Sequence, residues 1–153
     1  KFLSATLILK KNKYFDEAID AMIYLIVLAL GFALVENILA TSEDLITNNG
    51  LLVAFQIAAL RFVFADLIHA LSSGLIGFFW ALSLVKKKKA YLFWGLISGI
   101  ILHFVFDLVI IKSGGIALFL VSLALITLLI IFLISLKKSS NLLQIFSTLK
   151  NKN

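Results

Sequence analysis

The sequence predicts an all-α fold, a polytopic bundle of transmembrane helices, and three observations carry that reading. Of 153 residues, 62% are apolar and only 14% are charged, against roughly 25% charged in an ordinary soluble domain. The mean hydropathy of +1.11 excludes a soluble monomer. The lysines sit in clusters between apolar runs, so the net charge of +6 reads as a topology signal and not as a nucleic-acid surface. The lipid bilayer is the expected partner, and no nucleic acid is.

A helix needs about 20 apolar residues to cross about 30 Å of hydrocarbon. Four stretches qualify, residues 18–40, 51–85, 90–111 and 116–136, and residues 2–9 look like the end of a fifth span. Together they predict one membrane-embedded domain over 1–153, with residues 137–153 as a tail. No secretory signal pattern is present. Proline is absent, which removes the usual cause of a sharp helix kink. The span 51–85 is too long: as one helix it runs about 50 Å, so it must tilt strongly or place its first turns at the outer interface. In the second case Arg61 falls near the outer boundary and His69 a turn or two inside it.

Loop charge sets the orientation. Lys10, Lys11 and Lys13 precede the first full span, Glu43 and Asp44 follow it, Lys86–Lys89 come next, then Lys112 alone, then Lys137 and Lys138. By the positive-inside rule the lysine-rich loops are cytoplasmic, as is the C-terminus, and the loops 41–50 and 112–115 face outward. In the tail, Leu142, Ile145, Phe146 and Leu149 recur at helical spacing, which suits a surface helix or equally a solvated tail. Met22 is the sole methionine and the chain opens on Lys1, so the expectation is the C-terminal part of a longer protein.

Ionisable groups inside spans cost about 2.5 to 3.5 kcal/mol each on insertion scales, so each needs a partner, a cavity or a task. The candidates are Glu36, Arg61, Asp66, His69, His103 and Asp107. Glu36, His103 and Asp107 lie in the outer halves of their spans, which predicts one polar site open to the extracytoplasmic side. Helical phase agrees. Gly95, Gly99, His103 and Asp107 recur every four residues, as do Arg61, Ala65, His69, Ser73 and Gly77, and Ala29, Ala33 and Asn37 run beside Glu36. Small residues on these stripes let helices approach closely and bring Glu36, His69, His103 and Asp107 together. Asp66, five residues from Arg61, falls off the His69 stripe and outside the expected site.

Such a set suits more than one chemistry. A carboxylate in low dielectric serves as general base on water, and a histidine can donate to an oxyanion or a leaving amine. No cysteine is present, so thiolate ligands, cysteine nucleophiles and disulfides are excluded. If the reaction is metal-dependent, His69, His103 and Asp107 are the expected ligands, a set of the kind that holds Zn2+. Blander readings compete. His103 and Asp107 can form a satisfied pair, Glu36 and Asn37 can mark an interfacial helix end, and Arg61 can snorkel to headgroups or pair with Asp66. A non-enzymatic carrier or scaffold would use the same buried groups to bind an ion or proton, but the inverted repeat and glycine-broken spans it calls for are not seen.

The runs Gly31-Phe32-Ala33-Leu34-Val35-Glu36-Asn37, Arg61 followed by His69-Ala70-Leu71-Ser72-Ser73-Gly74-Leu75-Ile76-Gly77, and His103-Phe104-Val105-Phe106-Asp107 resemble successive motifs of the PrsW family of intramembrane proteases. That family is distantly similar to CAAX-protease-like peptidases. Asp16, Asp20 and Tyr24 also suit the approach to its Glu-Asn motif. The resemblance implies a multispan helical protease of the bacterial cell membrane that cuts membrane-anchored proteins, an anti-sigma factor among them, at an extracytoplasmic site. It implies Glu36, Asn37, His69, His103 and Asp107 as catalytic residues, with Arg61 supporting them, and leaves open a metal or a glutamate-activated water. The family's Glu-Glu-x-x-Lys-Phe motif would end at Lys1-Phe2, placing its glutamates upstream. Ala21 and Ala40 depart from the pattern, standing where the family tends to have a glycine and an aromatic residue. A prenyl-protein-type peptidase, which would meet substrate from the cytoplasmic side, fits the lysine distribution less well.

Overall fold

The structure, a computed structural model, describes residues 2–9, 15, 19–47 and 50–112, with helical positions 120, 121, 123, 124, 127, 130, 131 and 134 beyond them. Among the described residues all regular structure is helical: α1 (Phe2–Leu9), α2 (Asp20–Ile46), α3 (Gly50–Lys86) and α4 (Lys89–Lys112). The all-α expectation holds. The stretches Asp20–Glu43, Gly50–Lys86 and Lys89–Val109 are long and apolar enough to cross a membrane. Apart from the helical positions just named, the expected span 116–136 lies outside the described residues, as does the tail 137–153.

The first span is longer than its apolar run suggests. Glu43 and Asp44, expected in a loop, lie on the last turns of α2, which continues to Ile46. The reason is local: Thr41 Oγ1 donates to the Asn37 carbonyl at 2.7 Å and Ser42 Oγ to the Ile38 carbonyl at 2.7 Å. Hydroxyls satisfied one turn back do not end a helix. Termination comes at Thr47, whose N–H reaches the Glu43 carbonyl. The second span is a single helix of 37 residues, about 55 Å long. It ends at a lysine-rich turn where Lys87 adopts φ 53°, the left-handed conformation that commonly closes helices.

Small residues set the packing. On α2, Ala21, Leu25, Ala29 and Ala33 recur every four positions and are fully buried. Opposite them Gly77 of α3 lies so close that an added Cβ would strike the Met22 Cα and stand 3.0 Å from the Ala21 carbonyl oxygen. On α4, a Cβ at Gly95 would strike Phe79, and one at Gly99 would meet Ile76 Cγ1 at 2.5 Å and the Ser72 carbonyl oxygen at 3.0 Å. Backbones brought this near gain dispersion contacts along their whole length, the means by which helices associate without a hydrophobic drive. They also fix the register: α4 runs antiparallel to α3, with Gly95 beside Phe79 and Gly99 beside Ser72 and Ile76. One more turn along both helices puts His103 beside His69.

Two apolar clusters flank the region where these helices meet. One, near the Lys86 end of α3, gathers Ala5 and Leu9 of α1 with Ala21, Leu25, Trp80 and Ala81, and the Phe2 and Trp80 rings meet edge-on at 5.2 Å. The other, Ile68, Leu71 and Phe106, joins α3 to α4. The outer surface is apolar too: Leu34, Val35, Leu39, Phe62, Val63 and Phe104 are all exposed. An apolar perimeter of this extent suits acyl chains and would drive association in water.

Candidate active site

Three helices contribute to one cavity of about 360 Å³, lined among others by Glu36 of α2, Arg61 and His69 of α3, and His103 and Asp107 of α4. Counted along α4, His103 lies fourteen residues from Lys89 at the lysine-rich turn, a rise of about 21 Å. The cavity therefore sits far from the α3–α4 turn, toward the end where α2 passes to α3.

His69 is the buried centre of the group. Its side chain is 5% exposed, and Nε2 stands 2.7 Å from Oε2 of Glu36 on the neighbouring helix. Phe32 packs edge-on against the same imidazole at 5.8 Å, and the His103 ring crosses it at 4.7 Å between centroids. The 2.7 Å separation is that of an ion pair when His69 is protonated, yet Glu36 Oε2 has no aligned hydrogen bond, and neither does His103 Nδ1. The distance describes a close approach between the two side chains without an aligned hydrogen bond. A buried polar atom without a partner costs about 1–3 kcal/mol, and sites where that cost is tolerated are commonly functional.

Asp107 is the looser member. Its side chain is 54% exposed, and Oδ1 lies 3.7 Å from His103 Nδ1, too long for a hydrogen bond. It lines the same cavity and faces His103 without fixing it.

Arg61 and Asn37 are bound to each other, and a residue placed outside the expected site joins them. Arg61 Nε donates to Asn37 Oδ1 at 3.1 Å, while Asn37 Nδ2 donates to Asp66 Oδ1 at 2.8 Å. The chemistry fixes the amide's orientation, since only its oxygen can face a guanidinium and only its NH2 a carboxylate. Arg61 therefore neither snorkels away nor pairs directly with Asp66: the Asn37 amide bridges them. Asp66 does not line the cavity, but this contact ties it to Asn37 beside Glu36. Its helical phase lies off the His69 stripe, and the signal that could have found it is a second ionisable residue in one span, within reach of the Glu36-Asn37 pair.

Two orphaned donors and a nearby imidazole are the right kinds of groups for a metal ion. Even so, among the described residues no group of three or more His, Asp or Glu side chains is arranged to hold one, the expected set His69, His103 and Asp107 included. The described donors do not complete a metal site.

Residues 1–135 match the family described as PrsW family intramembrane metalloprotease. Over 106 residues the chain is 32% identical to the Protease PrsW of Clostridioides difficile (strain 630), an alignment covering 65% of this chain and 42% of that protein. The chain thus spans less than half the length of this curated relative. No solved structure matches it. With most of its length matched by the family and three of its helices long and apolar enough to span a bilayer, the chain belongs to the PrsW family of intramembrane metalloproteases.

Proposed function

We propose that this chain carries peptide-hydrolase chemistry on membrane-anchored protein substrates, with Glu36 as general base and the two histidines as its partners. The observation that carries the reading is the 2.7 Å approach of Glu36 Oε2 to His69 Nε2 across two helices, inside a cavity that also takes in His103 of a third. Uncommitted and buried, Glu36 Oε2 is placed to take a proton from water as that water attacks a scissile carbonyl. His69 lies within proton-transfer distance of the same oxygen, and His103, whose ring crosses that of His69 at 4.7 Å, can donate to the developing oxyanion. Asp107, lining the same cavity, presents its carboxylate to His103 without a hydrogen bond. Arg61 and Asn37 belong to the frame around Glu36. The family is described as metalloproteases, and a Zn2+ ion held here would need ligands beyond the group the described residues assemble.

The substrate reading extends this: a protein held in the bilayer by its own span, an anti-sigma factor being the kind the family resemblance implies, cut on the extracytoplasmic side of a bacterial cell membrane. The lysine clusters support that side, with the Lys86–Lys89 turn and the C-terminus in the cytoplasm. The whole chain is read as one membrane-embedded domain ending in a cytoplasmic tail from residue 137. In intact cells a membrane-impermeant thiol reagent is expected to label Thr47→Cys and not Lys87→Cys. Labelling of the latter from outside would reverse the orientation.

His103→Ala tests the chemistry. Removing one oxyanion donor typically costs about 10²–10³-fold in turnover, so cleavage of a membrane-tethered reporter should fall by that order while insertion, read by protease protection, is unchanged. Phe104→Ala, next along α4 and exposed, should cleave like the parent. Equal cleavage by both variants removes His103 from the mechanism.

A further inference from the structure

We propose that Asp66 is a positioning residue for the Glu36 carboxylate, acting through the Asn37 amide that it shares with Arg61. The inference rests on the reading of Glu36 as general base and adds to it the device that aims this side chain.

Glu36 and Asn37 are neighbours on α2, so their side chains leave the helix about 100° apart and turn together. Asn37 is held at three atoms: Nδ2 by Asp66, Oδ1 by Arg61, and its carbonyl oxygen by the Thr41 hydroxyl. Both partners of the amide are on α3, the helix that also carries His69. The clamp thus fixes the rotation of α2 against the helix that holds Glu36's partner. A turn of about 20° moves a side-chain tip at a helix's outer radius by about 2 Å, and a misplacement of about 1 Å can cost about 10²-fold in rate.

Charge explains why an aspartate is needed there. Arg61 and Asp66 bring opposite charges to one amide, so the trio is neutral as a whole, the arrangement that makes burial of either ion tolerable. Both hydrogen bonds are charge-assisted and strong in a water-poor setting. Without Asp66 the Asn37 NH2 loses its acceptor. The Arg61 guanidinium, which shares the cavity with the carboxylates of Glu36 and Asp107, then loses the neutralising charge of Asp66 and is free to pair with Glu36, and a base paired with arginine is a poor base.

The test uses the complete protein in proteoliposomes and a membrane-tethered reporter. Asp66→Ala and Asn37→Asp should each lower kcat by about tenfold or more with KM little changed, because aim and not binding is lost. Asn37→Asp sets two carboxylates face to face. The swap Asn37→Asp/Asp66→Asn restores both contacts, with Arg61 and the new amide now donating to a carboxylate at position 37, and should recover most of the parental kcat. A structural arm is independent of catalysis. The chain has no cysteine, so Glu36→Cys/His69→Cys can be bridged by a short thiol-reactive linker, and adding Asp66→Ala should reduce the cross-linked fraction. Parental kcat in Asp66→Ala, a swap as slow as Asn37→Asp alone, or an unchanged cross-linked fraction each overturns the proposal. Glu36→Gln is run alongside: if it cleaves at the parental rate the general-base reading fails, and the cross-linking arm then decides the positioning role alone.

Discussion

Glu36→Gln in the complete protein lowers the rate of reporter cleavage by about 10²–10⁴-fold, the span associated with loss of a general acid or base. Glutamine keeps the size and most of the polarity of glutamate but cannot accept a proton from water, so the change isolates basicity from packing. Glu36 is only partly buried, with a side chain 38% exposed, and glutamine keeps its volume and a carbonyl oxygen that can still face His69, so insertion and thermal stability should stay close to the parent. The measurement is initial cleavage rate at saturating substrate, with detergent unfolding as the control. A rate within about threefold of the parent would leave general-base catalysis by Glu36 without support, since that factor is far below the range above.

Gly77→Ala destabilises the bundle by about 1–3 kcal/mol, the usual cost of forcing extra volume into a packed contact. The sign makes the case. Alanine is the better helix former by about 0.8–1.0 kcal/mol, so propensity alone predicts a gain. At Gly77, however, the new Cβ would collide with the Met22 Cα, which is backbone and cannot swing aside. Gly31→Ala supplies the contrast, for nothing lies within 4 Å of a Cβ built there, and it should be neutral or stabilising. The comparison is read by unfolding in mixed micelles. Equal effects at the two positions would mean that α2 and α3 are not held together at Gly77.

The extent to which the sequence foretold this arrangement follows from what helical phase can and cannot encode. Repeats of four set the faces: Gly95, Gly99 and His103 predict the α3–α4 seam, and Ala29 and Ala33 predict the side of α2 turned to α3, because small residues mark where backbones touch. Phase also places His69 and Glu36 on facing stripes. It does not encode reach. Asp66 is about 140° around α3 from Arg61, and only the length of the arginine side chain and the width of an amide let both meet Asn37. The end of α2 is hidden from hydropathy for a related reason, since hydropathy falls at Thr41 and Ser42 while their hydroxyls turn inward to the carbonyls at Asn37 and Ile38 and the helix continues. Composition reports the solvent a segment prefers, whereas hydrogen bonding decides where a helix stops.

The length of α3 has an outcome for the surrounding lipid. Fitting about 55 Å of helix into about 30 Å of hydrocarbon by leaning alone would require an inclination of nearly 60°, beyond the roughly 0–40° that spanning helices adopt. Part of the mismatch must fall on the lipid or on the helix's first turns, where Leu51, Leu52 and Phe55 stand exposed. Thin bilayers strand these side chains among headgroups, and thick ones submerge them, at fractions of a kcal/mol per Å. Acyl-chain length thereby acts on the pitch of the one helix that both α2 and α4 clasp, and through it on how closely the imidazole of His69 is held to its neighbours.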